Sequence, residues 1–412
     1  MKARPSTKID LYQLVAIITA SLVLVYTFLR AQRIAITYDE ACTYLVHTRS
    51  SLGHILSFAG PFAPNNHLLN TLLVKITTHI FGKYVLAIRL PALLGHILYL
   101  AGVYNILKIF LERGRFLAGV ALAVSSPFLL DLFSCGRGYS LGLGFSAAAL
   151  FFIFKHLEGK DPAKRVLFVS LAVSMLTLSA LSNAAFLVIF AGVCASLIAI
   201  ELLTPSRIRD VGLALFITVC GALFLYIFYQ PSVIARIVEG VSGYGGGTGF
   251  WTDTVYSLLA CSLYGKHDAT ACLIMSTKFF ILLSFVAAVV ISILSLLKRI
   301  RIDTIDRYLI FMTLVIFFIV SFIKIQSLLF GAKYPIDRAA IYLIPLYIIF
   351  FLALWQRLAS SVRGLGQRAI DAIFYIIIIA VVTHNISCLN LDYYYLWRNE
   401  SPNLLSRLKL EN

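Results

Sequence analysis

Two acidic side chains stand side by side in the segment Ile36-Thr37-Tyr38-Asp39-Glu40-Ala41-Cys42, shortly past a first apolar run. Acids are scarce in this chain, 19 Asp and Glu among 412 residues, so an adjacent pair stands out. An ionised carboxylate can take a proton from a nucleophile, and a pair of carboxylates suits a hard divalent cation, the one cofactor to expect here. Thr37 and Glu40 have the spacing of a capping box, which starts a short helix at Asp39. There the exposed N–H groups and the positive end of the helix dipole keep Asp39 charged. The competing explanation is that the pair only caps its helix, and it bears more on Glu40 than on Asp39.

The elements that must position these acids are membrane helices. Apolar residues make up 60% of the chain, its mean hydropathy is +0.89, and the repeated apolar runs of roughly 17 to 22 residues match the hydrocarbon core of a bilayer. A water-soluble domain could not hide so much apolar surface, and an outer-membrane barrel would alternate where these runs are continuous. The chain reads as an all-α polytopic membrane protein in one domain, 1–412. Eleven spans are expected, at 11–29, 90–111, 116–133, 139–157, 166–181, 184–203, 211–230, 279–297, 308–330, 339–357 and 369–388.

A net charge of +16 and a pI near 9.6 would suggest a nucleic-acid partner in a soluble protein. Here no nucleic acid is expected, because the positions of the charges report orientation. With the amino terminus inside and the carboxyl terminus outside, 19 of the 35 Lys and Arg fall in short cytoplasmic connections, as the positive-inside rule requires. Those basic residues need no partner beyond membrane lipids. The first apolar run is too long for a cleaved signal and reads as a retained helix. Of the seven Cys, Cys194, Cys220 and Cys388 lie inside spans as small apolar side chains, whereas Cys261 and Cys272 share one outer connection and could pair in an oxidising compartment.

Two long connections then fall on the outer side, 30–89 and 231–278, and chemistry belongs where there is enough chain to build a site. In the first, the stretch from His67 to Phe81 sets Leu68, Leu69, Leu72, Leu73, Ile76 and Ile80 on one face against Asn70, Lys75 and Thr78. That pattern predicts a second short helix, lying along the interface. The other connection carries Gly243-Tyr244-Gly245-Gly246-Gly247-Thr248-Gly249-Phe250-Trp251. It lacks the Lys and hydroxyl residue of a nucleotide loop. Mobile glycines beside Tyr244, Phe250 and Trp251 suit a lid with aromatic faces for a sugar, or equally a plain flexible connection with interfacial aromatics.

The acidic pair after the first span, the Asn66-His67-Leu68-Leu69 element, Phe81-Gly82, Arg89-Leu90-Pro91-Ala92-Leu93, Arg137-Gly138-Tyr139 and Tyr334-Pro335 through Arg338 together resemble the GT-C superfamily of integral membrane glycosyltransferases. The branch they are most similar to contains protein O-mannosyltransferases and the lipid A aminoarabinose transferase. The resemblance implies a transferase taking a sugar from a polyprenyl-phosphate donor to a lipid-linked, glycan or protein acceptor. It implies a site at the outer face of a bacterial inner membrane, facing the periplasm.

Such a reaction needs a base at the acceptor hydroxyl and positive charge at the departing phosphate. Asp39 is the expected base, and Glu40 is expected to orient the acceptor or share a divalent ion. Arg137, Lys333, Arg338 and Arg89 are the expected phosphate ligands, with snorkelling to ordinary headgroups as the alternative for each. Asp131 is a candidate second carboxylate, although Gly136 stands where the family often has Glu. His67, Tyr139 and Trp251 complete the candidate substrate contacts. The rival readings are a flippase or polysaccharide ligase handling the same lipids, and a secondary transporter, to which Lys324 and Asn183 point weakly.

Overall fold

A computed structural model describes residues 10–60, 62–159, 161–203, 208–240, 244–265, 270–297 and 303–398. Among them the regular structure is helical: α1 (Leu11–Arg33), α2 (Tyr38–Cys42), α3 (Leu52–Leu56), α4 (Leu68–Phe81), α5 (Val85–Phe110), α6 (Arg113–Val124), α7 (Pro127–Ser134), α8 (Tyr139–Glu158) and α9 (Pro162–Ser182). There follow α10 (Leu187–Leu202), α11 (Ile208–Phe228), α12 (Pro231–Gly240), α13 (Tyr256–Ser262), α14 (Thr270–Leu297), α15 (Thr304–Phe330), α16 (Leu343–Ser361) and α17 (Leu365–Ser387). Among the described residues ten helices are long and apolar enough to cross a membrane, and the pair α6 and α7 makes an eleventh if it is one span. The protein is an all-α polytopic membrane protein.

The third expected span, 116–133, comes as two helices bent by 58°. Ser126 caps α7 by accepting from the Leu129 N–H, and Pro127 takes its first position. A proline has no N–H to continue the preceding helix, so the chain restarts there in a new direction. The first span also runs further than expected and carries Arg30 within its last turn.

Contacts at the helix ends sort the bundle into two faces. On one, Arg30 from the end of α1 meets Asp131 near the end of α7, and Tyr229, just past α11, donates to the Ala180 carbonyl near the end of α9. On the opposite face Arg115 at the start of α6 forks onto Asp371 of α17 at 2.9 Å. His156 at the end of α8 shares a 2.8 Å hydrogen bond with Glu201 of α10, and Arg357 of α16 pairs with Asp306 of α15.

The helices nearest the acidic pair pack through glycine. A Cβ on Gly95 of α5 would lie 2.5 Å from the Leu141 nitrogen of α8. With no hydrophobic force between helices in lipid, this close approach of backbones is what binds α5 to α8.

The first long connection folds as the patterns predict. Thr37 and Glu40 form both halves of the capping box at the start of α2, and the chain continues into a π turn over Thr43–His47. Helix α4 buries Asn70, Thr71, Val74 and Thr77 and leaves Ile76, Ile80 and Phe81 exposed. Its polar side thus faces the protein. Cys261 and Cys272, which share a connection and could have paired, are both free thiols, and Cys261 donates to Asp337.

Candidate active site

Glu40 and Asp39 are neighbours in sequence with opposite surroundings. The Glu40 carboxylate is fully buried and accepts four hydrogen bonds: from Arg89 Nε at 2.7 Å, Arg89 Nη2 at 2.8 Å, the Thr37 N–H at 2.8 Å and the Gly136 N–H at 2.6 Å. That fills its two oxygens. Burial pushes its carboxyl upward, but Arg89 and these donors outweigh burial and hold it below the ordinary range.

Arg89 is committed in the same way. Its remaining N–H groups donate to the carbonyls of Ala31, Ile34 and Ala35, so all five are occupied inside the protein. The expected contact between Arg89 and a lipid phosphate therefore has no donor. The pair is a buried staple that ties the end of α1, the start of α2 and α5 together.

Asp39 faces a different set of groups. Its Oδ1 accepts from Asn65 at 3.3 Å, and its Oδ2 lies 3.2 Å from Arg338 Nη2 and 3.9 Å from Arg137 Nη2. Burial pushes Asp39 upward, yet Arg137 and Arg338 overcome it and hold the acid below its ordinary value, helped by Asn65 and Trp397. The carboxylate stays ionised.

Arg137 is aimed by its neighbours: it donates to the Asp39 carbonyl and Thr43 Oγ1 at 3.3 Å and to Asn65 Oδ1 at 3.0 Å. Arg338 lies over the rings of Tyr244 and Trp397, at 5.3 and 5.2 Å. His67 packs edge-on against Tyr139 at 5.4 Å. Burial, with Arg137 and Arg338 adding, keeps His67 neutral far below its usual pKa.

Several buried polar atoms around Asp39 have no hydrogen-bond partner among the described residues. They are His67 Nε2 and Arg137 Nε; Asn66 Oδ1 and Asn70 Oδ1, on the turn and helix that follow, lack partners too, while Asp39 Oδ2 is ion-paired with Arg338. Buried polar atoms are nearly always paired in folded proteins, so a cluster of unpaired ones around an acid marks a place for a polar ligand.

A cavity of about 1170 Å³ lies among α13, α14, α15, α16 and α17, lined mostly by apolar side chains and reached by Trp251, Lys324, Tyr334 and Asn385. It exceeds the roughly 300–1,000 Å³ usual for small-molecule pockets.

No family model matches the sequence, and no curated protein matches it. Solved structures similar in layout include two membrane proteins. One is the archaeal oligosaccharyltransferase AglB from Archaeoglobus fulgidus, in complex with an inhibitory peptide and a dolichol-phosphate. It is 13% identical with a TM-score of 0.48 over 97% of this chain, which spans 60% of that chain. The other is ArnT from Cupriavidus metallidurans bound to undecaprenyl phosphate, 12% identical with a TM-score of 0.38 over 97% of this chain and 95% of that one.

Of the residues singled out in the sequence, Asp39, Arg137, Arg338, His67 and Tyr139 converge, and others do not. Asp131 is engaged elsewhere: it pairs with Arg30 at 2.5 Å and accepts from the Tyr264 hydroxyl and the Tyr395 N–H, both at 2.8 Å to one or other oxygen. This leaves it a structural acid and not a second carboxylate beside Asp39. Lys333 is exposed. Trp251 lines the cavity. The glycine-rich segment is no free lid over its described part, because Gly246 and Tyr334 exchange two backbone hydrogen bonds of 2.9 Å.

Both Glu40 oxygens are occupied, Asp39 is flanked by guanidinium groups, and among the described residues no three His, Cys, Asp or Glu gather. Sequence reasoning missed Asn65 and Trp397. Asn65 lies in the Gly- and Pro-rich run Gly60-Pro61-Phe62-Ala63-Pro64-Asn65-Asn66, whose composition signals only a turn, and Trp397 carried no signal beyond being one of only three Trp.

Gly138 lets this site close. A Cβ there would lie 1.8 Å from the Ser182 carbonyl oxygen and 2.9 Å from His67 Cβ. Backbone cannot yield as a side chain does, so Gly138→Ala is expected to destabilise by at least the ~1–3 kcal/mol of ordinary overpacking, read as a lower melting temperature in detergent.

Proposed function

We propose that this protein is a glycosyltransferase that moves a sugar from a polyprenyl-phosphate donor to an acceptor hydroxyl, with Asp39 as general base. The observation that carries this reading is the Asp39 carboxylate, buried and ionised between two guanidinium groups, with unpaired polar atoms around it.

In this reading the acceptor O–H gives its proton to Asp39 as its oxygen attacks the anomeric carbon, and the bond from that carbon to the phosphate oxygen breaks. The departing phosphate is met by Arg338 and Arg137. Asn65 bonds both Asp39 and Arg137 and so keeps base and cation in register. Glu40 and Arg89 touch no substrate; their staple fixes the turn that carries Asp39. The large apolar cavity suits the hydrocarbon tail, since Tyr334 on its wall begins the short segment that leads to Arg338. The opposite face carries Arg115, Arg165, Arg307 and Arg357, which supports placing it toward the cytoplasm and the site toward the outside.

The arginines that keep Asp39 charged also weaken it as a base. A donor phosphate on Arg338 and Arg137 offsets that field, so the loaded site holds a stronger base than the empty one. The acidic limb of kcat/KM, which reports the free enzyme, is therefore expected below the ordinary carboxylate value, and the limb of kcat at a higher pH. Coincident limbs would contradict this.

The test is transfer itself. The purified chain in liposomes is given radiolabelled sugar on polyprenyl phosphate together with lipid, glycan and peptide acceptors, and product is compared for the native chain and Asp39→Asn. Equal transfer by both sinks the assignment of the base; uptake of donor without transfer turns the reading to a flippase or transporter.

A further inference from the structure

The described residues that follow α17, 388–398, do not trail away from the bundle. They turn back over the face that bears Asp39 and are fastened at successive residues. The Asn390 carbonyl accepts from Tyr26 at 2.7 Å and the Tyr393 carbonyl from Arg30 at 2.9 Å. The Tyr394 hydroxyl donates to the Ser134 carbonyl at 2.8 Å, and its ring lies under Arg89 at 5.5 Å. The Tyr395 N–H is held by Asp131. The purpose of the buried Arg30–Asp131 pair is thus visible: it is the peg to which this strap is tied. The strap's last turn, Tyr395–Trp397, delivers Trp397 to Arg338.

Arg338 is aimed from the other side as well. Asp337, which precedes it, has φ +48°, a left-handed conformation that a non-glycine residue adopts only when its surroundings impose it. The Asp337 N–H donates to Ser257 Oγ at 2.9 Å, Cys261 donates to one carboxylate oxygen at 3.3 Å and Tyr244 to the other at 3.5 Å. Asp337 is therefore not the ion-pair partner of Arg338 but the bent hinge that points it at Asp39. Of the two cations beside Asp39, Arg137 is 2% exposed and Arg338 23%. Arg338 is the one with room to meet an incoming anion.

From this arrangement we infer that Trp397 is a positioning residue, closing with Tyr244 an aromatic clamp on the Arg338 guanidinium that fixes the cation where the donor phosphate arrives. This rests on the reading of Arg338 as a phosphate ligand. A guanidinium packed against two rings keeps its charge while losing water and rotamer freedom, so its N–H groups stay aimed where one of them now meets Asp39 at 3.2 Å. Without the rings the same charge is present but swings, and an affinity that depends on geometry falls.

Equilibrium binding of undecaprenyl phosphate, which carries no sugar, to the full chain in nanodiscs tests this apart from turnover. Trp397→Leu is expected to bind about tenfold more weakly, Trp397→Phe to recover most of that loss, and Tyr244→Leu, on a separate element, to weaken binding similarly. Melting temperatures of Trp397→Leu and Trp397→Phe are expected to agree, which a purely structural role would not give. Native affinity in both Leu variants overturns the clamp, as does a loss that follows melting temperature. Should Trp397→Leu fail to fold, Tyr244→Leu decides alone. If Arg338→Gln binds as tightly as the native chain, the phosphate role of Arg338 falls instead; if Arg338→Gln weakens binding and the aromatic variants do not, only the clamp falls.

Discussion

Asp39→Asn is expected to lose about 10²–10⁴-fold in turnover, the usual contribution of a positioned base, while binding the donor at least as well as the native chain. The amide keeps the shape of the acid, so Asn65 and the backbone around it need not move. What disappears is the negative charge that Arg338 approaches to 3.2 Å and Arg137 to 3.9 Å. With that anion gone, both cations are freer for a phosphate, so the KM for donor is expected to stay level or fall as kcat collapses. A rise in donor KM with kcat preserved would mean that Asp39 holds substrate and does no proton transfer.

The second large effect concerns stability. Arg89→Met leaves the fully buried Glu40 carboxylate with two backbone N–H donors and no counter-charge. Breaking a buried pair in this one-sided way typically costs about 3–5 kcal/mol. The expected result is a large drop in melting temperature and in folded yield. Adding Glu40→Gln to Arg89→Met removes the stranded charge and is expected to restore part of the loss. Were Arg89 a ligand for a lipid phosphate, the outcome would be reversed: an unchanged melting temperature and a raised donor KM.

That contrast shows where sequence reading reaches its limit. An arginine at the mouth of a span snorkels, binds phosphate or bridges buried carbonyls, and residue type and position are the same in all three cases. Only the geometry shows that Arg89 is enclosed and Arg338 is not. Helices were legible because their causes are local: apolar runs long enough to cross a bilayer, the capping box at Thr37 and Glu40, and the face pattern of α4. The bend between α6 and α7 had its cause in view, Ser126-Pro127, yet hydropathy averaged across it. The site was legible in its members with chemical character, Asp39, Arg137 and Arg338. Its remaining members were not, because Trp397 meets Arg338 through a strap whose path is set by the distant Arg30–Asp131 pair. Asp131 drew attention for the right reason, an acid deep in an apolar run, and turned out to serve the strap.

The strap also bears on how the protein is made. A chain emerging amino terminus first has its Glu40–Arg89 staple, and then Arg137, in hand early. Arg338 arrives with the late helices, and Trp397 only after α17 has been inserted. Until then Asp39 lacks Arg338 beside it, and Arg338 lacks Trp397. A half-inserted chain can thus be stable at its amino-terminal end and still be inert, and activity becomes a report on completed assembly of the whole bundle.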